Sequence, residues 1–75
     1  MTTINKDKYI ETLEKLASES SKIEVEITTF DFETVKGIVT KFYIDEYEQE
    51  TIVIEDIENK YDIEIDFIRD LIIDN

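Results

Sequence analysis

The spacing of apolar residues changes once along the chain, from a helical period to a strand period. Over residues 5–19 the apolar side chains recur every three or four positions, which is typical of one face of a helix. These side chains are Tyr9, Ile10, Leu13, Leu16 and Ala17. From Lys22 onward apolar and polar residues alternate, as in residues 23–27, which places the apolar ones on one face of a strand. The pattern predicts an N-terminal helix followed by a sheet.

The alternating part divides into five predicted strands. We predict strands at about 22–29, 34–45, 51–55, 61–66 and 71–74, a tight turn at 30–33, a polar turn at 45–50, a third turn at 56–60, and a helical turn at 67–70. The inward residues of the first strand are Ile23, Val25, Ile27 and Thr29. We place the tip of the third turn at Asn59-Lys60.

The only glycine, Gly37, stands inside the long second strand. A lone glycine there is typical of a bulge or a sharp bend. Such a bend would let one strand serve both halves of a small barrel.

This order of elements resembles an Sm-like (SH3-like) small barrel. The resemblance rests on Gly37–Phe42 and Tyr61–Ile72, which are similar to the kinked strand and the closing strands of Sm-like proteins. It covers residues 5–74 and implies a single α+β, mainly β domain. In that domain a helix at about 5–19 precedes a strongly bent, five-stranded antiparallel barrel at about 22–74.

Two other groups resemble the chain more loosely. The Rof/YaeO family is similar in its helix, its Sm-like barrel and its acidic surface, and its members inhibit the Rho terminator by occupying the RNA-binding region. The YolD-like proteins are similar in their Gly-Ile strand and their closing Ile-rich strands. The first resemblance implies an inhibitor, and the second implies an assembly module.

Charge narrows the choice of partner. The chain has 20 Asp and Glu against 8 Lys and Arg, a net charge of −12, of which residues 42–75 carry −10 and residues 1–41 carry −2. Phosphate recognition depends on basic side chains, so we predict no direct binding to nucleic acid or to anionic membranes. Where Sm-like proteins have basic or amide residues in the closing strands, this chain has Asp62, Glu64 and Asp66. The charge favours a basic protein surface as the partner.

Neither an enzyme nor a metal site is predicted. The chain has no His and no Cys, which removes the commonest general base and the strongest common nucleophile. The series Asp62-x-Glu64-x-Asp66 resembles the start of a calcium loop, but it lacks the glycine and the bidentate Glu of that loop. Alternate strand residues lie about 6.6 Å apart, too far to share one ion. We predict no catalytic residue, no cofactor and no metal.

The predicted site is a partner-binding surface built from an acidic turn and an acidic strand. Its residues are Asp45, Glu46, Tyr47, Glu48, Glu50, Asp62, Glu64 and Asp66. Carboxylates repeating at about 6.6 Å along a strand broadly match the phosphate spacing of single-stranded nucleic acid, so they can act as a mimic. Tyr47 is the aromatic anchor of this hypothesis. Of the adjacent Phe42 and Tyr43 one faces outward, and we expect that ring to pack beneath the helix.

The sequence therefore predicts a cytoplasmic, non-enzymatic regulator that binds the basic surface of a nucleic-acid-binding protein. Phage or mobile-element inhibitors of host defence, such as anti-CRISPR proteins, or of transcription fit this description. The alternative is an Sm-like or YolD-like structural module that works as an oligomer, associating through the edges of the last strands, where Ile72 and Ile73 lie. Monomer and homodimer both stay open, because the helix can bury its apolar stripe on the barrel or on a second copy. No signal peptide and no membrane span are predicted.

Overall fold

The computed structural model describes residues 1–74 and folds them into a short α-helix and a six-stranded antiparallel sheet. In chain order the elements are β1 Thr2–Ile4, a 3-10 turn Lys6–Lys8, α1 Tyr9–Ser18, β2 Glu24–Thr29, β3 Thr34–Ile44, β4 Glu50–Glu55, β5 Lys60–Glu64, a 3-10 turn Ile65–Phe67 and β6 Ile68–Asp74. The strand order across the sheet is β1-β6-β2-β3-β4-β5. The predicted α+β, mainly β class is confirmed. Among these residues no helix has both the length and the apolar character needed to cross a membrane.

The predicted strongly bent, five-stranded antiparallel barrel is not confirmed, because the sheet formed by the described residues has six strands and is not closed into a barrel. The chain forms a sixth strand, β1, which pairs with β6 from Thr2 opposite Ile73 to Ile4 opposite Leu71. Three residues are too few for a periodic pattern, so this strand gives no signal of its own in the sequence. The first and last strands of the order, β1 and β5, do not pair with each other in residues 1–74, so the sheet stays open.

The long strand β3 serves two neighbours, as the sequence predicted. Its first half, up to Ile38, pairs with β2, and its second half, from Ile38 onward, pairs with β4. The bulge, however, lies between Val39 and Lys41 and not at Gly37. Gly37 is needed for another reason, because a Cβ there would lie 2.6 Å from the carbonyl oxygen of Glu55. The glycine therefore allows a close approach of the β4 backbone to β3.

The predicted boundary between the last two strands is also wrong. The helical turn lies at Ile65–Phe67 and not at 67–70, so β5 ends at Glu64 and β6 already begins at Ile68. A 3-10 turn has three residues per turn, which brings positions i and i+3 to the same side. Ile65 and Ile68 are accordingly both buried. In the sequence Ile63 and Ile65 look like one alternating strand, and this concealed the turn.

The three turns between strands lie where they were predicted, with small shifts at their ends. They span residues 30–33, 45–49 and 56–59, while Glu50 and Lys60 begin strands. The tip of the last turn is at 57–58, because the Asp56 N–H donates to the Asn59 carbonyl at 3.0 Å. The prediction of Asn59-Lys60 as the tip is therefore wrong.

The helix packs on its own chain. Tyr9 and Leu13 are buried in the same core as Val25, Ile27, Val39, Ile52, Ile54, Ile63, Ile65, Ile68 and Leu71. The Tyr9 hydroxyl donates to the Arg69 carbonyl of β6 at 3.0 Å. Two residues expected in the core are instead exposed, Ile10 and Ile23. The Ile23 N–H donates to Ser21 Oγ, in a turn that keeps Ile23 outside β2.

Candidate functional site

The β3–β4 loop is held in shape by one of its own predicted site residues. Asp45 Oδ1 accepts hydrogen bonds from the backbone N–H of Tyr47 at 2.8 Å and of Gln49 at 2.9 Å. The Glu48 N–H donates to the Asp45 carbonyl, and Glu48 has a left-handed backbone with φ of 62°. Asp45 is half-buried, whereas Glu46, Tyr47 and Glu48 are exposed. Asp45 therefore positions the loop, and its exposed neighbours are the side chains that can meet a partner.

The three acids of the second predicted segment do not form one regular row. Asp62 and Glu64 are exposed alternate residues of β5, so their side chains lie on the same face of the strand. Asp66 is exposed but belongs to the 3-10 turn after β5. The strand spacing of about 6.6 Å thus applies to Asp62 and Glu64 alone.

Tyr43 links the two acidic segments. It lies on the face of β3 opposite the core, and its hydroxyl donates to Asp62 Oδ2 on β5 at 2.5 Å. This hydrogen bond raises the pKa of Tyr43, as do partial desolvation and the negative charges of Asp62 and Asp45. The expectation that the outward ring of Phe42 and Tyr43 packs beneath the helix is wrong. Phe42 packs against the core, and Tyr43 belongs to the acidic surface.

Tyr43 was not among the residues predicted for the site. The contact joins residues 19 positions apart across two strand pairings. The period-two pattern places Tyr43 on the outer face, but only the register of β3, β4 and β5 brings it to Asp62. We refer to Tyr43, Glu46, Tyr47, Glu48, Asp62 and Glu64 together as the acidic surface.

The acidic surface carries little compensating charge. In residues 1–74 the ion pairs are Lys8–Glu11, Lys15–Glu19, Lys36–Glu26 and Arg69–Asp70. None of them involves a carboxylate of the acidic surface, nor Glu50 or Asp66. Lys41 and Lys60 line one shallow groove together with Tyr43 and Asp62, so they limit the acidic surface on that side. The Lys41 ammonium lies 5.2 Å from the centre of the Tyr43 ring.

Glu50 has a different environment from the other predicted site residues. It is the first residue of β4, is half-buried, and pairs with Ile44 at the end of the β3–β4 ladder. Its side chain shares a face with the buried Ile52, because the two are alternate strand residues. Glu50 is therefore set apart from the outer face that carries Tyr43, Asp62 and Glu64.

An exposed aromatic side chain lies at the β2–β3 turn. Phe32 is 74% exposed and has a left-handed backbone with φ of 65°, which is unusual for a bulky residue. The Arg69 guanidinium carbon lies 4.8 Å from the centre of its ring. No sequence signal indicated this residue, since its exposure depends on the turn conformation.

The arrangement of the acidic surface suits binding. Within residues 1–74 no group of three or more His, Cys, Asp or Glu side chains is placed to hold a metal ion. Carboxylates fixed on a strand and a braced loop present negative charge and hydrogen-bond acceptors at set positions. Such groups bind Lys and Arg side chains.

Comparisons with protein-family models, curated proteins and solved structures gave no match for this chain. A function is therefore assigned from geometry and charge.

Proposed function

We propose that the protein is a non-enzymatic regulator that binds the basic surface of a nucleic-acid-binding protein through its acidic surface and blocks that surface. The observation that carries the proposal is the cluster of exposed carboxylates on β5 and the β3–β4 loop, joined by Tyr43 and free of ion pairs in the described residues. The proposed setting is the cytoplasm, and the proposed origin is a phage or mobile element.

Rigidity supports a specific partner over general solubility. An acidic tail adapts to many basic surfaces, whereas these acids have fixed separations. Asp62 and Glu64 are held by pairing with Val53 and Thr51 of β4, and the loop acids are held by the Asp45 carboxylate. Fixed charge can select one basic groove over another.

Mimicry of nucleic acid is the proposed basis of recognition. Asp62 and Glu64 present two charges about 6.6 Å apart, an interval broadly like that of phosphates in a single strand. Tyr43 and Tyr47 lie among these charges and present aromatic rings, as bases do. The affinity should fall steeply as salt rises, because the attraction is between exposed charges.

The alternative assembly function has less support. In Sm-like barrels association uses the edges of the last two strands. Here β1 already pairs with β6 along Leu71–Ile73, so the outer edge of β6 is covered in the described chain. Assembly through that edge would require β1 to be displaced. The β5 edge stays available.

Capture from a bacterial cytosolic extract tests the proposal. The test variant neutralises four acidic-surface residues by Glu46→Gln, Glu48→Gln, Asp62→Asn and Glu64→Gln. The matched control neutralises four exposed acids around the helix by Asp7→Asn, Glu11→Gln, Glu14→Gln and Glu19→Gln. Both variants have the same net charge, so any difference between them reports position and not total charge.

We expect the wild type and the control to retain the same nucleic-acid-binding protein at low salt and to release it at high salt. The test variant should retain much less of it, with an unchanged circular dichroism spectrum. Equal capture by the test and control variants would contradict the proposal.

A further inference from the structure

The outer edge of β5 carries backbone groups that no strand of residues 1–74 satisfies. The Asp56 N–H donates to the Asn59 carbonyl, which makes these two residues a hydrogen-bonded pair at the end of the β4–β5 ladder. Hydrogen-bonded and non-hydrogen-bonded pairs alternate along an antiparallel ladder, and this ladder has no register shift. Lys60, Asp62 and Glu64 therefore lie in non-hydrogen-bonded pairs. The N–H and C=O groups of Lys60 and Asp62 and the N–H of Glu64 point away from β4, toward the free edge, while the Glu64 carbonyl accepts the first hydrogen bond of the following 3-10 turn.

A groove of about 620 Å³ runs along that edge. The whole of β5 forms one wall, and the β2–β3 turn with the start of β3 forms the other. Four carboxylates and one lysine line it, namely Asp31, Glu33, Asp62, Glu64 and Lys60. Its apolar lining comes from Val35, Tyr61, Ile63 and Phe67.

Charged and apolar side chains alternate along β5. Asp62 and Glu64 lie on the outer face, while Tyr61 and Ile63 lie on the core face, and Ile63 is buried. A strand added to this edge would place its residues alternately beside the charged side chains of Lys60, Asp62 and Glu64 and beside apolar side chains.

We propose that the β5 edge binds an extended segment of the partner protein by strand addition, and that this segment alternates basic and apolar residues over about five positions. The backbone of the segment bonds to the N–H and C=O groups of Lys60 and Asp62 and to the N–H of Glu64. Its Lys or Arg side chains face Asp62 and Glu64, and its apolar side chains face Tyr61 and Ile63. This inference rests on the proposed function, since both use the acids of β5, but it adds a backbone requirement that charge alone does not impose.

Charge selects this occupant over a second copy of the chain. Each copy carries a net charge of −12, so pairing two β5 edges brings two strongly negative molecules together. A charged, five-residue edge also opposes pairing with its own kind. A basic strand meets neither obstacle.

Two fluorescently labelled peptides of equal composition test the proposal. One has the order Lys-Val-Lys-Val-Lys-Val-Lys, and the other carries the same residues in blocks, Val-Val-Val-Lys-Lys-Lys-Lys. We expect the alternating peptide to bind the wild-type protein about tenfold more tightly in fluorescence anisotropy, since only its order matches the edge. On binding, amide exchange measured by nuclear magnetic resonance should slow at Lys60, Asp62 and Glu64.

A matched pair of variants isolates the backbone contribution. Asp62→Ala and Asp62→Pro both remove the carboxylate, but only proline also removes the N–H that points to the free edge. Proline at such a position leaves the β4 ladder intact. We expect Asp62→Pro to bind the alternating peptide about threefold to tenfold more weakly than Asp62→Ala. If Asp62→Pro does not fold, amide exchange in the wild type decides whether the peptide adds as a strand. Unchanged exchange at Lys60, Asp62 and Glu64 on peptide binding would then overturn strand addition.

The outcomes separate this inference from the proposed function. Equal affinity for both peptides, with weaker binding of both by Asp62→Asn/Glu64→Gln, overturns strand addition and leaves the acidic-surface proposal standing. Peptide binding that this double variant does not weaken counts against both. A homodimer in sedimentation analysis, with the β5 amides protected before any peptide is added, overturns the basic segment in favour of a second copy.

Discussion

Replacing Gly37 by alanine would push a methyl group into the backbone of the adjacent strand. An ideal Cβ at this position lies 2.6 Å from the carbonyl oxygen of Glu55 and 2.7 Å from Ile54 Cγ2. The first contact is with backbone, so no side-chain rotation removes it. The substitution must move β3 away from β4 where β3 passes from β2 to β4.

Two opposing effects set the size of the change. Overpacking a tight site typically costs about 1–3 kcal/mol. Alanine also reduces the conformational entropy of the unfolded chain, which stabilises by about 0.4–1 kcal/mol when the native backbone accepts it. The net expectation is a loss of about 1–2 kcal/mol. A domain of this size has a free energy of unfolding of roughly 4–11 kcal/mol, so the loss is measurable.

Urea unfolding followed by circular dichroism measures this difference. The control is Lys36→Ala, the neighbouring exposed residue, which removes a surface ion pair with Glu26 worth about 0–1 kcal/mol. We expect the midpoint for Gly37→Ala to fall clearly below those of the wild type and the control. An unchanged or raised midpoint would refute the close approach, because the entropy effect alone has the opposite sign.

The remaining stability predictions concern the Tyr9 hydroxyl, the hydrogen bonds of Asp45 within the β3–β4 loop, and the net charge. Tyr9→Phe removes the hydrogen bond to the Arg69 carbonyl and should lower the free energy of unfolding by about 1 kcal/mol in urea titrations. Burial, followed by the charge of Asp70, raises the pKa of Tyr9 above its usual 10.0. The neutral Tyr9 hydroxyl therefore contributes to stability below pH 10, and this contribution is lost as pH rises through the pKa of the folded protein. Between pH 9 and 12 the free energy of unfolding should therefore fall less steeply with pH in Tyr9→Phe than in the wild type. Equal slopes would contradict this. Asp45→Ala should speed amide exchange at Tyr47 and Gln49, whereas Asp45→Asn, which keeps the Oδ1 acceptor, should not. Because the net charge is −12, sodium chloride at about 0.5 M should raise the melting temperature by screening self-repulsion, and a fall would show that favourable charge pairs dominate.

Local patterns predicted much of the fold. The helix follows from the period of 3.6, the turns follow from breaks in the period of two, and the double role of β3 follows from its length and its glycine. The strand β1 could not be predicted, because Thr2–Ile4 becomes a strand only through its pairing with β6. The turn at Ile65–Phe67 was misplaced because three-residue spacing of Ile65 and Ile68 is hard to separate from strand alternation. Whether a sheet closes into a barrel depends on pairing between its first and last strands, and β1 and β5 do not pair in the described residues.

The candidate site was predicted by composition but not by geometry. The sequence shows where acids are dense, and most of the predicted acids are exposed. It does not show that the Asp45 carboxylate is used within its own loop, that Asp66 leaves the strand, or that Tyr43 reaches Asp62. These facts depend on hydrogen bonds and on register, which no period in the sequence reveals.

Displacement of nucleic acid tests the proposed blocking function most directly. A labelled oligonucleotide is bound to the purified nucleic-acid-binding protein that the wild-type chain captures, and its release is followed by fluorescence anisotropy. We predict that the wild type and the helix-side control variant release the oligonucleotide at similar concentrations. The variant neutralised at Glu46, Glu48, Asp62 and Glu64 should need at least about tenfold more protein, because it lacks four charge contacts. Binding of the partner with no release of the oligonucleotide, or equal release by all three proteins, would contradict the proposed function.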